Sequence, residues 1–161
     1  MTLRQIVPAV LGALLTAALH AQAGPHCQVV PKSMAAMRGC YRPLLVFSPS
    51  ATDARLRRQA ALLDAAADDM MDRFVLFTPV VADEQRVNPP ADAPWTKLPE
   101  REAAAVRQRY EVPADAFTVL LLDEDGAVFL RSGSPIAADR LNALIDRTAR
   151  RRAEMQRPHA N

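Results

Sequence analysis

The side chains able to do chemistry fall into three sets: the cysteines Cys27 and Cys40, the run Ser48, Ser50 and Thr52 followed by Asp53 and Arg55, and the acidic trio Asp123, Glu124 and Asp125. Two thiols can join as a disulfide or act as a redox couple. The redox couple needs a close C-x-x-C pair at a helix N-terminus, where the thiol pKa falls, whereas Cys27 and Cys40 stand thirteen positions apart. The hydroxyls would be nucleophiles only with a base beside them, and no histidine is placed to serve. Helix capping by Ser50, Thr52 or Asp53 is the plain account. His26 and His159 sit at the two ends of the chain that remains after leader removal, without Cys or carboxylate at ligand spacing, so no metal is expected. The acidic trio brackets a two-residue turn and lacks a calcium-binding loop, which makes it a solvated tip.

The N-terminus sets the compartment in which these groups would work. MTLRQ carries one positive charge, at Arg4, and IVPAVLGALLTAAL follows without any charge. Ala21 and Ala23 then occupy the two small-residue positions before a cleavage point, so residues 1–23 read as a signal peptide. A membrane anchor would need about 20 apolar residues, and this run is shorter and interrupted by Pro8 and Gly12. Cys27 follows Pro25 and His26 rather than a lipobox. Cleavage of 23 of the 161 residues leaves 138, enough for one core and too few for two domains. The expected location is periplasmic or secreted, where disulfides persist.

The mature chain retains 18 acidic side chains and loses only Arg4 of the 20 basic ones. Its net charge near +1 implies no nucleic-acid partner. Arg147, Arg150, Arg151, Arg152 and Arg157 cluster at the C-terminus and read as a solvated helix end, with an anionic membrane surface as the alternative.

Residues 24–43 form a lead-in. LLVF (44–47) is an apolar run of the kind buried on both faces of a sheet. From Asp53 onward Leu56, Ala60, Leu63, Ala67, Met70 and Phe74 fall at spacings of three and four, an amphipathic helix. FVLFTPVV (74–81) is a second strand, and 82–99, with four prolines, is a loop with freedom to move. Trp95 within it either anchors a partner or folds back over the core as a lid. A helix over 100–110 has Ala103, Val106 and Tyr110 on one side. FTVLLLDEDGAVFLR gives strand, turn at Asp125-Gly126, strand. Ala137, Leu141, Leu144, Ile145 and Thr148 define one face of a terminal helix. The order strand, helix, strand, helix, strand, strand, helix implies a parallel first pair and an antiparallel last pair. That is an α/β thioredoxin-like core over 44–155, a four-stranded mixed sheet with helices on both faces, followed by a tail over 156–161.

LLVFSPSATDARLRRQ and YEVPADAFTVLLLDEDGAVFLRSGSPIAADRLNALIDRTARRRAEM resemble the bacterial members of the P-DUDES family, a thioredoxin-like domain of unknown function related to domains in secreted sushi-repeat proteins and equarins. The most specific stretch runs from Phe117 to Asp146, with the RR-x-EM ending at Arg151, Arg152, Glu154 and Met155. The resemblance implies an architecture and an extracytoplasmic habit but no reaction. Where a thioredoxin or peroxiredoxin carries its reactive cysteine, after the first core strand, this chain has Ser48 to Asp53 and no sulfur. The matching stretch before the third core strand, Ala116-Phe117-Thr118, lacks the proline of a thioredoxin.

No catalytic residue and no cofactor is therefore expected. Cys40 precedes the first strand, on the far side of the sheet from its C-terminal end, and pairs better with Cys27, closing a loop that stabilises by roughly 3 kcal/mol. The reading is a non-redox binding or adaptor module for an envelope or extracellular protein or peptide, without a membrane span after cleavage. The alternative is a thiol oxidoreductase or peroxiredoxin-like enzyme using Cys40. A recognition site is expected at Ser48, Ser50, Thr52, Arg55, Phe117 and Thr118, beyond the carboxyl ends of the parallel strands.

Overall fold

The computed structural model describes residues 27–83 and 86–156. The leader reading for 1–23, His26, Arg157 and His159 lie outside the described residues. Strands β1 (Arg42–Ser48), β2 (Val75–Val81), β3 (Thr118–Leu122) and β4 (Val128–Ser132) form one sheet in the order β2-β1-β3-β4. β1 and β2 run parallel, with Leu44 opposite Phe77 and Ser48 opposite Val81. β3 is antiparallel to both β1 and β4.

Every residue of β1 and β3 is buried, which is why their apolar runs show no alternation: both faces are covered. On one face Leu44, Val46, Phe77, Val119 and Leu121 pack against Leu56 and Leu63 of α2 (Ala54–Asp64), Met70 of α3 (Ala67–Asp72), and Leu141 and Ile145 of α5 (Ala138–Asp146). On the other, Leu45, Phe47, Leu76 and Leu120 meet Met37 of α1 (Met34–Met37) and Val106 of α4 (Glu100–Arg109). The three-layer arrangement agrees with the element order read from the sequence.

Several local expectations are corrected. The first long helix is two, broken at Ala65 and Ala66. Phe74 lies on neither its face nor in β2; it takes a left-handed φ of 53° to turn the chain into the strand and stays about half exposed. β1 begins two residues earlier than Leu44. The terminal helix is also two, because Thr148 accepts the Arg151 N–H at 3.1 Å and opens α6 (Ala149–Met155) as its N-cap. The β3–β4 connection spans 123–127 rather than two residues, and Asp123 accepts the N–H of Asp125 and Ala127 within it.

The proline segment is a strap tied to the sheet edge rather than a loose loop. Phe77 N–H donates to Pro94 O and Thr96 N–H donates to Phe77 O, both at 2.9 Å, so Trp95 bridges β2. Asp64 at the end of α2 accepts from the N–H of Ala91, Asp92 and Ala93. Desolvation works to raise the Asp64 carboxyl, and these three donors outweigh it and hold the group below its ordinary value. Trp95 remains over a third exposed, with its backbone as the anchor.

Candidate functional site

β1 delivers Ser48 fully buried to the pole beyond its carboxyl end, where its Oγ donates to Ser50 O at 2.8 Å and bends the chain. Ser50 Oγ and Thr52 Oγ1 then lie 3.3 Å apart. Ala51 N–H donates to Asp83 Oδ1 at 3.2 Å, which ties this turn to the one that follows β2. Asp53 caps α2 by accepting the Arg55 N–H at 2.8 Å, and the Arg55 guanidinium closes back on the same carboxylate at 3.0 and 2.6 Å. That hydrogen-bonded pairing holds the Asp53 carboxyl below its ordinary value and raises Arg55. The Arg55 guanidinium carbon stands 4.9 Å from the centroid of the buried Phe117 ring, a cation–π contact. Thr118 pairs with Phe47 across β1 and β3 and is nearly buried.

The structure thus gathers Ser48, Ser50 and Thr52 into one turn and lays Arg55 over Phe117. Thr118 sits one strand across. The constellation can offer hydroxyl donors and acceptors. It contains no thiol, and its carboxylates accept from their neighbours, Asp53 from Arg55 and Asp83 from the Ala51 N–H. Cys27 and Cys40 are joined to each other, and Cys40 stands two residues before the opposite end of β1. Among the described residues no cluster of three metal-ligating side chains occurs.

Sequence reasoning missed two features. The first is Arg107 of α4, whose guanidinium donates to Val80 O at 2.6 Å, Pro113 O at 2.9 Å and Ser48 O at 3.3 Å, above the Phe47 ring. Burial disfavours its charge. It lines a cleft of about 910 Å³ beside the ends of β2 and the strap. Its only sequence signal is adjacency to the buried Val106. The second lies at the other pole. Arg42, only 1% exposed, reaches Glu154 at 2.8 Å and Glu124 at 3.0 Å, while Arg150 pairs with Glu124 and Arg151 with Asp72 and Glu154. Glu124 is 4% exposed and Arg151 5%, so neither the acidic turn nor the arginine-rich end is simply solvated. The RR-x-EM string supplies Arg151 and Glu154 to this buried network.

The family described as a domain of unknown function, DUF4174, matches residues 33–154. No curated protein matches the chain. Among solved structures, thioredoxin peroxidase I of Plasmodium yoelii is similar at 18% identity and a TM-score of 0.55, over 79% of this chain and 83% of that one. The exposed lipoprotein thioredoxin of Streptococcus pneumoniae is similar at 12% identity and a TM-score of 0.52, over 71% and 90%. At these identities the likeness establishes the thioredoxin-like fold and nothing further.

Proposed function

We propose, from the premise that this chain belongs to the DUF4174 family, that it is an exported, non-redox thioredoxin-like module that binds a protein or peptide partner at the carboxyl ends of β1 and β2. The observation that carries this reading is the turn before α2. The position at which a thioredoxin-type thiol would be activated by helix N–H groups holds Ser50, Thr52 and Asp53, hydrogen-bonded locally. The Cys27–Cys40 disulfide supports an oxidising compartment, as does the leader read over 1–23. The finer kinship with the P-DUDES family rests on the strings that carry that resemblance. Using Cys40 as a catalytic thiol would first require opening the disulfide, and the sulfur would still stand at the far end of β1.

A partner captured from the native envelope on the mature protein provides the test. Ser50→Ala combined with Thr118→Ala weakens its binding about tenfold, or roughly 1.4 kcal/mol, measured by titration calorimetry. Cys40→Ser leaves affinity per folded molecule nearly unchanged. Affinity that followed Cys40 and ignored the Ser50 turn would restore the thiol enzyme.

A further inference from the structure

The geometry points to the cleft between the end of β2, the strap and α4 as a groove for an extended acidic peptide segment, which pairs with the free edge of β2 and meets Lys32, Lys97 and Arg107. This deepens the reading as a binding module and rests on it. The strap itself shows how that edge accepts a chain: both outward amide groups of Phe77 are taken by Pro94 and Thr96. Main-chain groups alternate sides along a strand, so those of Pro79 and Val81 share the outward side with Phe77. Pro79 is tolerated there because its missing N–H would face away from the sheet. β2 is an edge strand, and its isolated bridge to the strap lies at Phe77. Pro79, Val81 and Leu98 line the cleft, where the edge offers Pro79 O and the N–H and C=O of Val81. An unpaired strand edge beside an apolar wall is the arrangement that strand addition uses.

Charge selects the occupant. Lys32, Lys97 and Arg107 line the cleft, and among the described residues none of them pairs with a carboxylate. Arg107 is held by three carbonyl oxygens, which engage both of its terminal nitrogens without neutralising it. Asp83 and Glu100 are the carboxylates among the described lining residues, and the hydrogen bond that Asp83 accepts from Ala51 leaves its charge in place, so three cations stand against two carboxylates. The excess is positive, and about 910 Å³ exceeds what one small acid fills.

The test titrates the ¹⁵N-labelled mature protein with the blocked hexapeptides acetyl-VTEVEV-amide and acetyl-VTKVKV-amide, and with succinate. The acidic peptide shifts the amides of Val81, Asp83, Lys97 and Leu98 and binds at least tenfold more tightly than the lysine peptide. Lys32→Glu with Lys97→Glu, both at exposed positions, reverses that preference. Equal binding of the two peptides, a preference indifferent to the double variant, or succinate binding as tightly at the same amides overturns the groove. Shifts confined to residues 50–53 and 117–118 also overturn it while leaving the binding-module reading in place. That reading falls on a different result, thiol-dependent turnover by the mature protein.

Discussion

Replacing Arg42 with alanine lowers the unfolding free energy of the protein by about 3–5 kcal/mol, the loss expected when one partner of a buried ion pair is removed. Arg42 donates to Glu154 at 2.8 and 3.3 Å and to Arg73 O at 2.8 Å, and its NH2 lies 3.0 Å from Glu124. Its loss leaves the Glu124 carboxylate buried beside the like charge of Glu154, with Arg150 as its remaining cation. Urea denaturation shows the midpoint moving down with an unchanged slope. Arg42→Met with Glu154→Met recovers much of the loss, because Glu124 keeps Arg150 and the replaced pair no longer desolvates charge.

The pH dependence of the variant is diagnostic. In the intact protein burial pushes the Glu124 carboxyl up, against the pull of Arg42 and Arg150 and with the push of Glu154. A carboxyl raised in the folded state favours the protonated fold, so its effect on stability worsens as pH rises from about 4.5 through the raised value. The Arg42→Ala protein therefore regains stability relative to the parent as pH falls from neutrality toward 5. Glu154 and Asp146 run the other way. For Glu154, burial works to raise the carboxyl and the Arg42 hydrogen bonds outweigh it; for Asp146, the hydrogen bonds from Arg73 lead. The stability these two contribute is fully present above their ordinary values and is lost as pH drops through the lowered ones. A parallel decline of parent and variant between pH 7 and 5 would show that Arg42 does not govern Glu124.

Opening the Cys27–Cys40 disulfide is the second large effect, about 3 kcal/mol for a loop of this length. The disulfide closes the lead-in onto the start of β1. Tyr41 OH donates to Gln28 O at 2.6 Å and Thr96 Oγ1 to Pro31 O at 2.8 Å, so the lead-in is also attached to the strap. Gly39 N–H donates to Glu124 O at 2.8 Å, which joins it to the buried ion network. Cys27→Ser, Cys40→Ser and the reduced parent all melt at lower temperature by similar amounts. Amide exchange in the variants accelerates first over 28–41 and then at Thr96. An unchanged melting temperature under reductant would mean that these hydrogen bonds hold the segment without the covalent link.

The sheet was legible because its information is local. Leu44 to Phe47 and Val119 to Leu122 are apolar without alternation, and burial on both faces follows directly. The breaks in the helices were not legible. Ala65 and Ala66 favour helix intrinsically, so nothing in their types marks a stop, and Thr148 fits an apolar face as readily as it fits an N-cap. Phe74 continues a spacing of four from Met70 yet turns the chain through a left-handed φ. The sequence around Asp125-Gly126 correctly suggests a turn, but the burial of Glu124 depends on Arg42 and Arg150, far away in the chain. The strap depends likewise on the Asp64 carboxylate, and the cleft exists only once strap, β2 and α4 are assembled. Of the candidate site, Ser48 to Arg55 could be read from their place after the first strand. Arg107 could not, since a basic residue in the last turn of a helix ordinarily complements its dipole in solvent.

Binding without thiol chemistry, as proposed for this thioredoxin-like fold, is checked by insulin reduction and peroxide consumption with residues 24–161 and with Cys40→Ser, each supplied with dithiothreitol. Both proteins match the dithiothreitol background in both assays. Turnover above background in the parent that disappears in folded Cys40→Ser would contradict that proposal.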